Sequence, residues 1–209
     1  MSRALLIIDV QNDFTEHGAL AVAGGDAVAA GITEYLRAHP DRYDVVIASR
    51  DWHDGDGHNG GHFATDAEPD YIETWPVHCV SGTTGADYDP GLDERLIDVH
   101  IRKGQGMPAY SIFEGVADDD AAFDGVLDRF GVTEVDLAGL ATDYCVRASA
   151  LDALHAGHRV RVLTDLVAGV APDSSAAALE ELRAAGAELV VSADRSDIPT
   201  RSDIPGKDL

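Results

Sequence analysis

The sequence predicts an α/β fold, a single-domain three-layer sandwich whose helices cover both faces of a central, mostly parallel sheet of about six strands. Two observations lead to this class. Apolar runs typical of buried strands alternate along the chain with segments whose apolar residues recur at helical spacing. The 209 residues are also enough for one domain with a hydrophobic core, and they are few for two.

The strands are predicted from short apolar runs. The first run, residues 3–9, closes at Asp9 and suits a strand that is buried on both faces. The other predicted strands are residues 44–49, 100–102, 135–140, 159–165 and 187–191. In a parallel sheet, functional residues concentrate at the carboxyl ends of the strands. Asp9, Asp51, Lys103 and residues 141–145 all fall at such ends.

Helices are predicted from apolar periodicity together with residues that begin or end helices. The helix over residues 26–38 ends at His39-Pro40. Those over residues 119–130, 144–156 and 173–185 each end at a glycine. Residues 51–98 lack periodicity, and a loop this long is uncommon in a compact domain unless it serves a function. We expect the domain to cover residues 1–195 and to contain a metal-binding loop within residues 51–80, and we assign no function to the tail, residues 196–209.

Composition excludes several classes of function. Fifteen basic and 38 acidic residues give a formal net charge of −23, so nucleic acids and anionic membranes would repel the chain. No apolar run reaches the roughly 20 residues of a membrane span or the roughly 7–15 of a signal peptide. The two cysteines, Cys79 and Cys145, do not make a disulfide framework. We therefore expect a cytoplasmic protein with a small-molecule partner and no nucleic-acid or membrane partner, and the sequence leaves a homo-oligomer open.

Three residues at predicted strand ends are candidates for chemistry. Cys145 lies in the first turn of a predicted helix, where backbone N–H groups and the helix dipole favour a thiolate and an oxyanion. Its position is equally compatible with a buried structural cysteine. Asp9 lies beside apolar residues and could act as a base with a raised pKa, or cap a loop. Lys103, taken alone, is more typical of a solvated charge.

A histidine-rich segment is a candidate metal site. Four of the nine histidines follow Asp51 within the long loop. The candidate ligands are Asp51, His53, His58, His62 and His78. Imidazoles with a carboxylate suit zinc, iron, manganese or nickel better than calcium or magnesium. The alternative is a histidine-rich solvated loop.

Several short motifs follow one another in a specific order. They are Ile7-Ile8-Asp9-Val10-Gln11-Asn12-Asp13-Phe14, Asp51-Trp52-His53, His62-Phe63, Trp75-Pro76-Val77-His78-Cys79-Val80, Lys103-Gly104, Ala109-Tyr110-Ser111 with Phe113-Glu114-Gly115, and Gly139-Leu140-Ala141-Thr142-Asp143-Tyr144-Cys145-Val146. Together, and across residues 1 to about 192, they resemble the nicotinamidase/pyrazinamidase branch of the isochorismatase-like cysteine hydrolases. Each motif is weak alone, and their shared order makes the resemblance specific.

The resemblance implies hydrolysis of nicotinamide, and also of pyrazinamide, through a cysteine thioester. Cys145 would be the nucleophile, and Asp9 would take the thiol proton and later pass a proton to ammonia. Lys103 would lie between the two and tune both. A cis peptide would fall between Leu140 and Ala141, and the N–H groups of Ala141 and Cys145 would form an oxyanion hole.

The resemblance also implies a divalent transition metal ion (zinc, iron or manganese) and a slot for a flat ring. The metal would be held by Asp51, His53, His62 and His78. The metal loop is longer than expected, so His58 competes with His62 for the third position, and His62 is preferred because His62-Phe63 matches the family pattern. The slot would be lined by Phe14, Leu20, Trp75, Tyr110 and Tyr144.

Other functions remain open from the sequence. They are another small carboxamide or carbamoyl hydrolase on the same scaffold, and a non-catalytic metal- or ligand-binding module. A hydrolase of the vinyl ether isochorismate fits less well, because that branch needs neither the cysteine nor the metal ligands.

Overall fold

A mostly parallel sheet forms the centre of the computed structural model, which describes residues 2–193. Its strands are β1 (Ser2–Ile8), β2 (Val45–Asp51), β3 (Val99–Lys103), β4 (Val116–Ala117), β5 (Val132–Leu140), β6 (Arg159–Ala168) and β7 (Glu188–Val190). Their spatial order is β4-β3-β2-β1-β5-β6-β7, and β4 pairs antiparallel to β3 while the other neighbours are parallel. The predicted α/β class is confirmed, and the predicted tail, residues 196–209, lies outside the described residues.

Helices cover both faces of this sheet. They are α1 (Gly25–Ala38), α2 (Phe123–Phe130), α3 (Arg147–His155) and α4 (Pro172–Ala185). Leu5 and Ile7 of β1 pack in the core beneath α1, whereas Leu6 and Ile8 pack in the core beneath α2, α3 and α4. Because successive residues of a strand point to opposite faces, a strand covered on both sides must be apolar throughout. No helix within residues 2–193 is both long and apolar enough to cross a membrane.

Two local differences from the predicted elements have a physical origin. The predicted helix over residues 119–130 begins at Phe123, because acidic residues 118–120 form a turn in which Asp120 has a φ of 61°. This turn follows β4, a seventh strand too short to leave a pattern in the sequence. The predicted helix over residues 144–156 begins with a π-helical turn, Thr142–Val146, in which the Val146 N–H donates to the carbonyl of Ala141.

The topology brings distant strand ends together. From β1 the chain runs outward through β2, β3 and β4, and it then returns to β5 on the other side of β1. The carboxyl ends of β1 and β5 therefore meet at a topological switch point, where ligand sites of such sheets form. At this point a Cβ on Gly139 would lie 2.1 Å from the carbonyl oxygen of Ile8, so β1 and β5 approach more closely than a side chain would permit.

Candidate active site

Asp9, Lys103 and Cys145 meet at the carboxyl edge of the sheet. The ammonium nitrogen of Lys103 lies 2.9 Å from Asp9 Oδ2 and 3.7 Å from Cys145 Sγ, and it also forms an ion pair with Asp51. Asp9 and Lys103 have no exposed surface, and Cys145 is 7% exposed. The hydroxyl of Ser49 donates to the second oxygen of Asp9 over 2.7 Å. The three predicted catalytic residues thus form one buried, contiguous cluster.

Burial and charge act against each other in this cluster. Burial raises the pKa of Asp9 above its usual range even though Lys103 lowers it. Burial also raises the pKa of the Cys145 thiol well above its usual range, with Lys103 again opposing. For Lys103, burial favours the neutral amine, but Asp51 and Asp9 outweigh it and hold the pKa well above the usual range. A thiol that retains its proton therefore lies beside a carboxylate of raised proton affinity and a fixed ammonium.

An apolar cavity of about 280 Å³ opens onto Cys145. All five residues of the predicted slot line it, namely Phe14, Leu20, Trp75, Tyr110 and Tyr144. The Trp75 indole N–H donates to the hydroxyl of Tyr110 over 3.0 Å, and the rings of Tyr110 and Tyr144 stack with their centroids 6.3 Å apart. Flat aromatic walls held by such contacts suit a flat ring.

The predicted oxyanion hole also borders this cavity. Ala141 and Cys145 both line it, and the peptide between Leu140 and Ala141 is cis, as the family resemblance implies.

Three buried histidines from the long loop converge beside the cavity. One ring nitrogen from each of His53, His62 and His78 lies within 4.8 Å of those of the other two. Nδ1 of His53 bonds to the carbonyl of Gly104 over 2.7 Å, and Nδ1 of His78 bonds to that of Pro76 over 2.8 Å. These bonds fix the ring orientations and leave Nε2 of each for a metal.

The chemistry of this cluster fits a metal ion. Within residues 2–193, Nε2 of His53 and both ring nitrogens of His62 are buried without a hydrogen-bond partner, which is costly unless a ligand satisfies them. Burial, with His78 and His53 as further causes, lowers the pKa of His62 to about 3, so its ring is neutral, as metal binding requires. Three imidazoles beside a carboxylate suit zinc, iron or manganese.

Asp51 connects this histidine cluster to the catalytic residues. Its Oδ2 lies 3.7 Å from Nε2 of His53 and 3.8 Å from Nε2 of His78, while Oδ1 contacts Lys103. Burial opposes its charge, but Lys103 and the two imidazoles outweigh burial and hold the pKa of Asp51 well below its usual range. A permanently charged carboxylate is therefore shared between the two groups of residues.

His58 lies away from the cluster. Its side chain is exposed, and its Nδ1 accepts the N–H of Gly61 over 2.8 Å. The structure therefore brings together His53, His62 and His78, the set preferred from the family pattern.

Sequence reasoning assigned no role to Gln11, which is buried directly behind the site. Its side-chain nitrogen donates to the carbonyl of Asp51 over 2.9 Å, and its side-chain oxygen accepts the N–H of Asp51 over 2.8 Å. The sequence did contain a signal for a buried polar role. Asp9, Gln11 and Asp13 place a polar side chain at every second position directly after a buried strand. The partners of the Gln11 side chain and of Asp13 Oδ2 lie 40 or more residues away and could not be read from the pattern.

Known proteins share this architecture. A family model described as the Isochorismatase domain matches residues 3–194. The chain is similar to the nicotinamidase/pyrazinamidase of Mycobacterium tuberculosis, with 50% identity over 190 residues that cover 91% of this chain and 99% of the relative. Among solved structures, it is similar to the pyrazinamidase of Pyrococcus horikoshii in complex with zinc (TM-score 0.77, 37% identity, 91% and 99% coverage). It is also similar to PnC1 from L. infantum in complex with nicotinate (TM-score 0.78, 35% identity, 91% and 93% coverage).

Proposed function

Because this chain belongs to the isochorismatase family, we propose that it is a nicotinamidase, which hydrolyses nicotinamide to nicotinate and ammonia and acts on pyrazinamide in the same way. The observation that carries the proposal is the buried cluster of Asp9, Lys103 and Cys145 beside an apolar cavity. The activity named for the mycobacterial relative, and the nicotinate bound by the L. infantum protein, support the same reaction.

The first half of the reaction forms a thioester. Asp9 accepts the thiol proton as Cys145 Sγ attacks the carboxamide carbon, and the carbonyl oxygen becomes an oxyanion. The N–H groups of Ala141 and Cys145 stabilise it, and such a donor typically contributes about 2.7–4 kcal/mol. The carbon–nitrogen bond then breaks, and the leaving nitrogen takes the proton from Asp9 and departs as ammonia.

The second half regenerates the thiol. Asp9 removes a proton from water as the water oxygen attacks the thioester carbon. The carbon–sulfur bond breaks, the proton on Asp9 returns to Cys145, and the carboxylic acid product loses its own proton to solvent and leaves as nicotinate. Throughout the cycle Lys103 keeps its charge, so it stabilises whichever neighbouring group is anionic.

We assign Asp51, His53, His62 and His78 as the residues that would hold a divalent zinc, iron or manganese ion. When bound, such an ion would supply a Lewis-acidic position that could accept the pyridine nitrogen. Phe14 and Trp75 would contact the two faces of the ring. The nucleophile and the base are already present as side chains, so the ion has no need to activate water.

The two buried cysteines provide a matched test of the nucleophile. Cys145→Ala should abolish ammonia release from nicotinamide, whereas Cys79→Ala should retain most of it, because the Cys79 side chain lies outside the cavity lining. Mass spectrometry of enzyme quenched during turnover should show an acyl adduct on the peptide that contains Cys145. Turnover by Cys145→Ala would refute the mechanism.

The anchoring role of the metal is tested with substrates that differ at the ring nitrogen. Benzamide lacks this nitrogen and should be a far poorer substrate than nicotinamide for metal-loaded enzyme. Chelation or His53→Ala should abolish nicotinamide turnover while iodoacetamide still alkylates Cys145. Equal turnover of the two amides would show that the metal does not anchor the ring.

A further inference from the structure

Asp13 lies in the motif that follows β1, and the mechanism gives it no part. Its Oδ2 accepts the backbone N–H of Cys79 over 2.7 Å. Its own backbone N–H donates to the carbonyl of Gly85 over 3.0 Å, and its carbonyl accepts the N–H of Leu20 over 2.8 Å. Asp13 thus joins the loop that carries part of the cavity wall to the loop that carries His78.

The carboxylate of Asp13 is held in a close-fitting position. A Cβ on Gly85 would lie 2.2 Å from Asp13 Oδ2 and 2.5 Å from its Cγ, so a glycine is required for this approach. The carboxylate therefore packs directly against the Gly85 backbone, in the space that a side chain there would occupy.

The residue that Asp13 holds has an unfavourable backbone conformation. Cys79 has a φ of 46°, in the left-handed region that a non-glycine residue adopts only at a cost in free energy. A charged acceptor forms a stronger hydrogen bond with a backbone N–H than a neutral one does, and this bond offsets the cost. The carbonyl of Cys79 in turn accepts the N–H of His53 over 3.0 Å. The backbone of Cys79 therefore links two of the three clustered histidines.

We infer that Asp13 is a positioning residue for the metal centre: it holds Cys79 in the left-handed conformation and thereby directs His78 toward His53 and His62. This inference rests on the proposed function, because it assumes that these histidines bind a metal. Asp13 Oδ2 acts on the histidines through the Cys79 backbone, and its Oδ1 accepts the backbone N–H of Ala19 over 3.4 Å.

The test measures zinc affinity, by competition with a chromophoric chelator, in the wild type and four variants. Asp13→Ala should weaken zinc binding at least tenfold, whereas Asp13→Asn, which keeps an acceptor oxygen, should weaken it only a few-fold. Cys79→Gly should bind zinc nearly as the wild type does, because glycine adopts positive φ without strain. The double variant Asp13→Ala/Cys79→Gly should therefore recover most of the lost affinity.

Two further readouts separate positioning from general damage. The visible spectrum of the cobalt-substituted protein should change in Asp13→Ala and return toward that of the wild type in the double variant. The rate at which iodoacetamide alkylates Cys145 should stay within about twofold of the wild type in all four variants. Should Asp13→Ala not fold, the double variant carries the test, since restored folding and zinc binding are expected there.

The outcomes distinguish this inference from the function on which it rests. Wild-type affinity in Asp13→Ala, or a double variant that binds no better than Asp13→Ala, would overturn the positioning role while leaving the metal site intact. A wild-type protein that binds no zinc, iron or manganese would overturn the metal site, and the inference with it. Hydrolysis of nicotinamide can still be measured in that case, so the two failures are distinguishable.

Discussion

Replacing Lys103 by methionine removes the cation beside Cys145 while roughly preserving side-chain volume. The ammonium nitrogen lies 3.7 Å from Cys145 Sγ, and both side chains are buried. At an effective dielectric constant of about 20, two unit charges at this distance attract by about 4 kcal/mol. Because about 1.4 kcal/mol corresponds to a factor of ten, full loss of this attraction would lower the thiolate population about a thousandfold.

Part of this loss should be offset by Asp9. Without the ammonium, the buried carboxyl group of Asp9 binds a proton more readily, and its repulsion of the thiolate disappears. We therefore expect Cys145 in Lys103→Met to react with iodoacetamide at least about a hundredfold more slowly near pH 7.5. Ammonia release should fall nearly as far as in Cys145→Ala, because the three groups act as a unit.

The labelling rate is measured by intact-protein mass spectrometry over a pH series, with wild type and variant in the same metal-loaded state. Arg102→Met is the matched control, because it removes the same charge from the neighbouring residue of β3, where the Arg102 side chain is 30% exposed and its ion-pair partner Asp118 is 63% exposed. It should label within about twofold of the wild type, since exposed charges are strongly screened. Equal labelling rates for Lys103→Met and the wild type would refute the stabilisation of the thiolate by Lys103.

Outside the cavity, Arg161→Leu leaves the buried carboxylate of Asp136 without its cation and should lower the free energy of unfolding by about 3–5 kcal/mol in urea. The control Arg159→Leu removes an arginine whose side chain is 66% exposed and should cost less than about 1 kcal/mol, so equal losses would contradict this reasoning. Asp143→Ala should cost about 1–2 kcal/mol in the same assay, because its carboxylate accepts the two backbone N–H groups that precede α4, and a loss below 0.3 kcal/mol would show that α4 does not need this cap.

The core strands could be predicted because burial on both faces of the sheet requires apolar residues within each strand itself. β1 is covered on both faces, and its continuous apolar run is typical of such a strand. β4 could not be predicted, because two residues are too few to show an alternation of apolar and polar side chains. The strand is defined only by its pairing with β3. The start of α2 was predicted four residues too early, because the acidic turn before it is no less polar than a helix face.

The candidate site shows the same division between local and distant information. Motif order indicated which residue types to look for, and Asp9, Lys103 and Cys145 do lie together. The contacts that hold the backbones of Asp51 and Cys79 were not predictable, because Gln11 and Asp13 make them across 40 and 66 residues of sequence. The contrast between exposed His58 and buried His62 likewise depends on how the long loop folds.

The close approach of β1 and β5 at Gly139 bears on how the substrate specificity of such a protein can change. Two backbones in contact fix the spacing between the strand ends that lead to Asp9 and Cys145. The walls of the cavity are instead side chains on loops, among them Leu20 and Trp75. Mutational libraries confined to these loops should therefore shift which amides are accepted while the reacting groups keep their separation. New specificities are accessible by few substitutions, provided that the glycine is left unchanged.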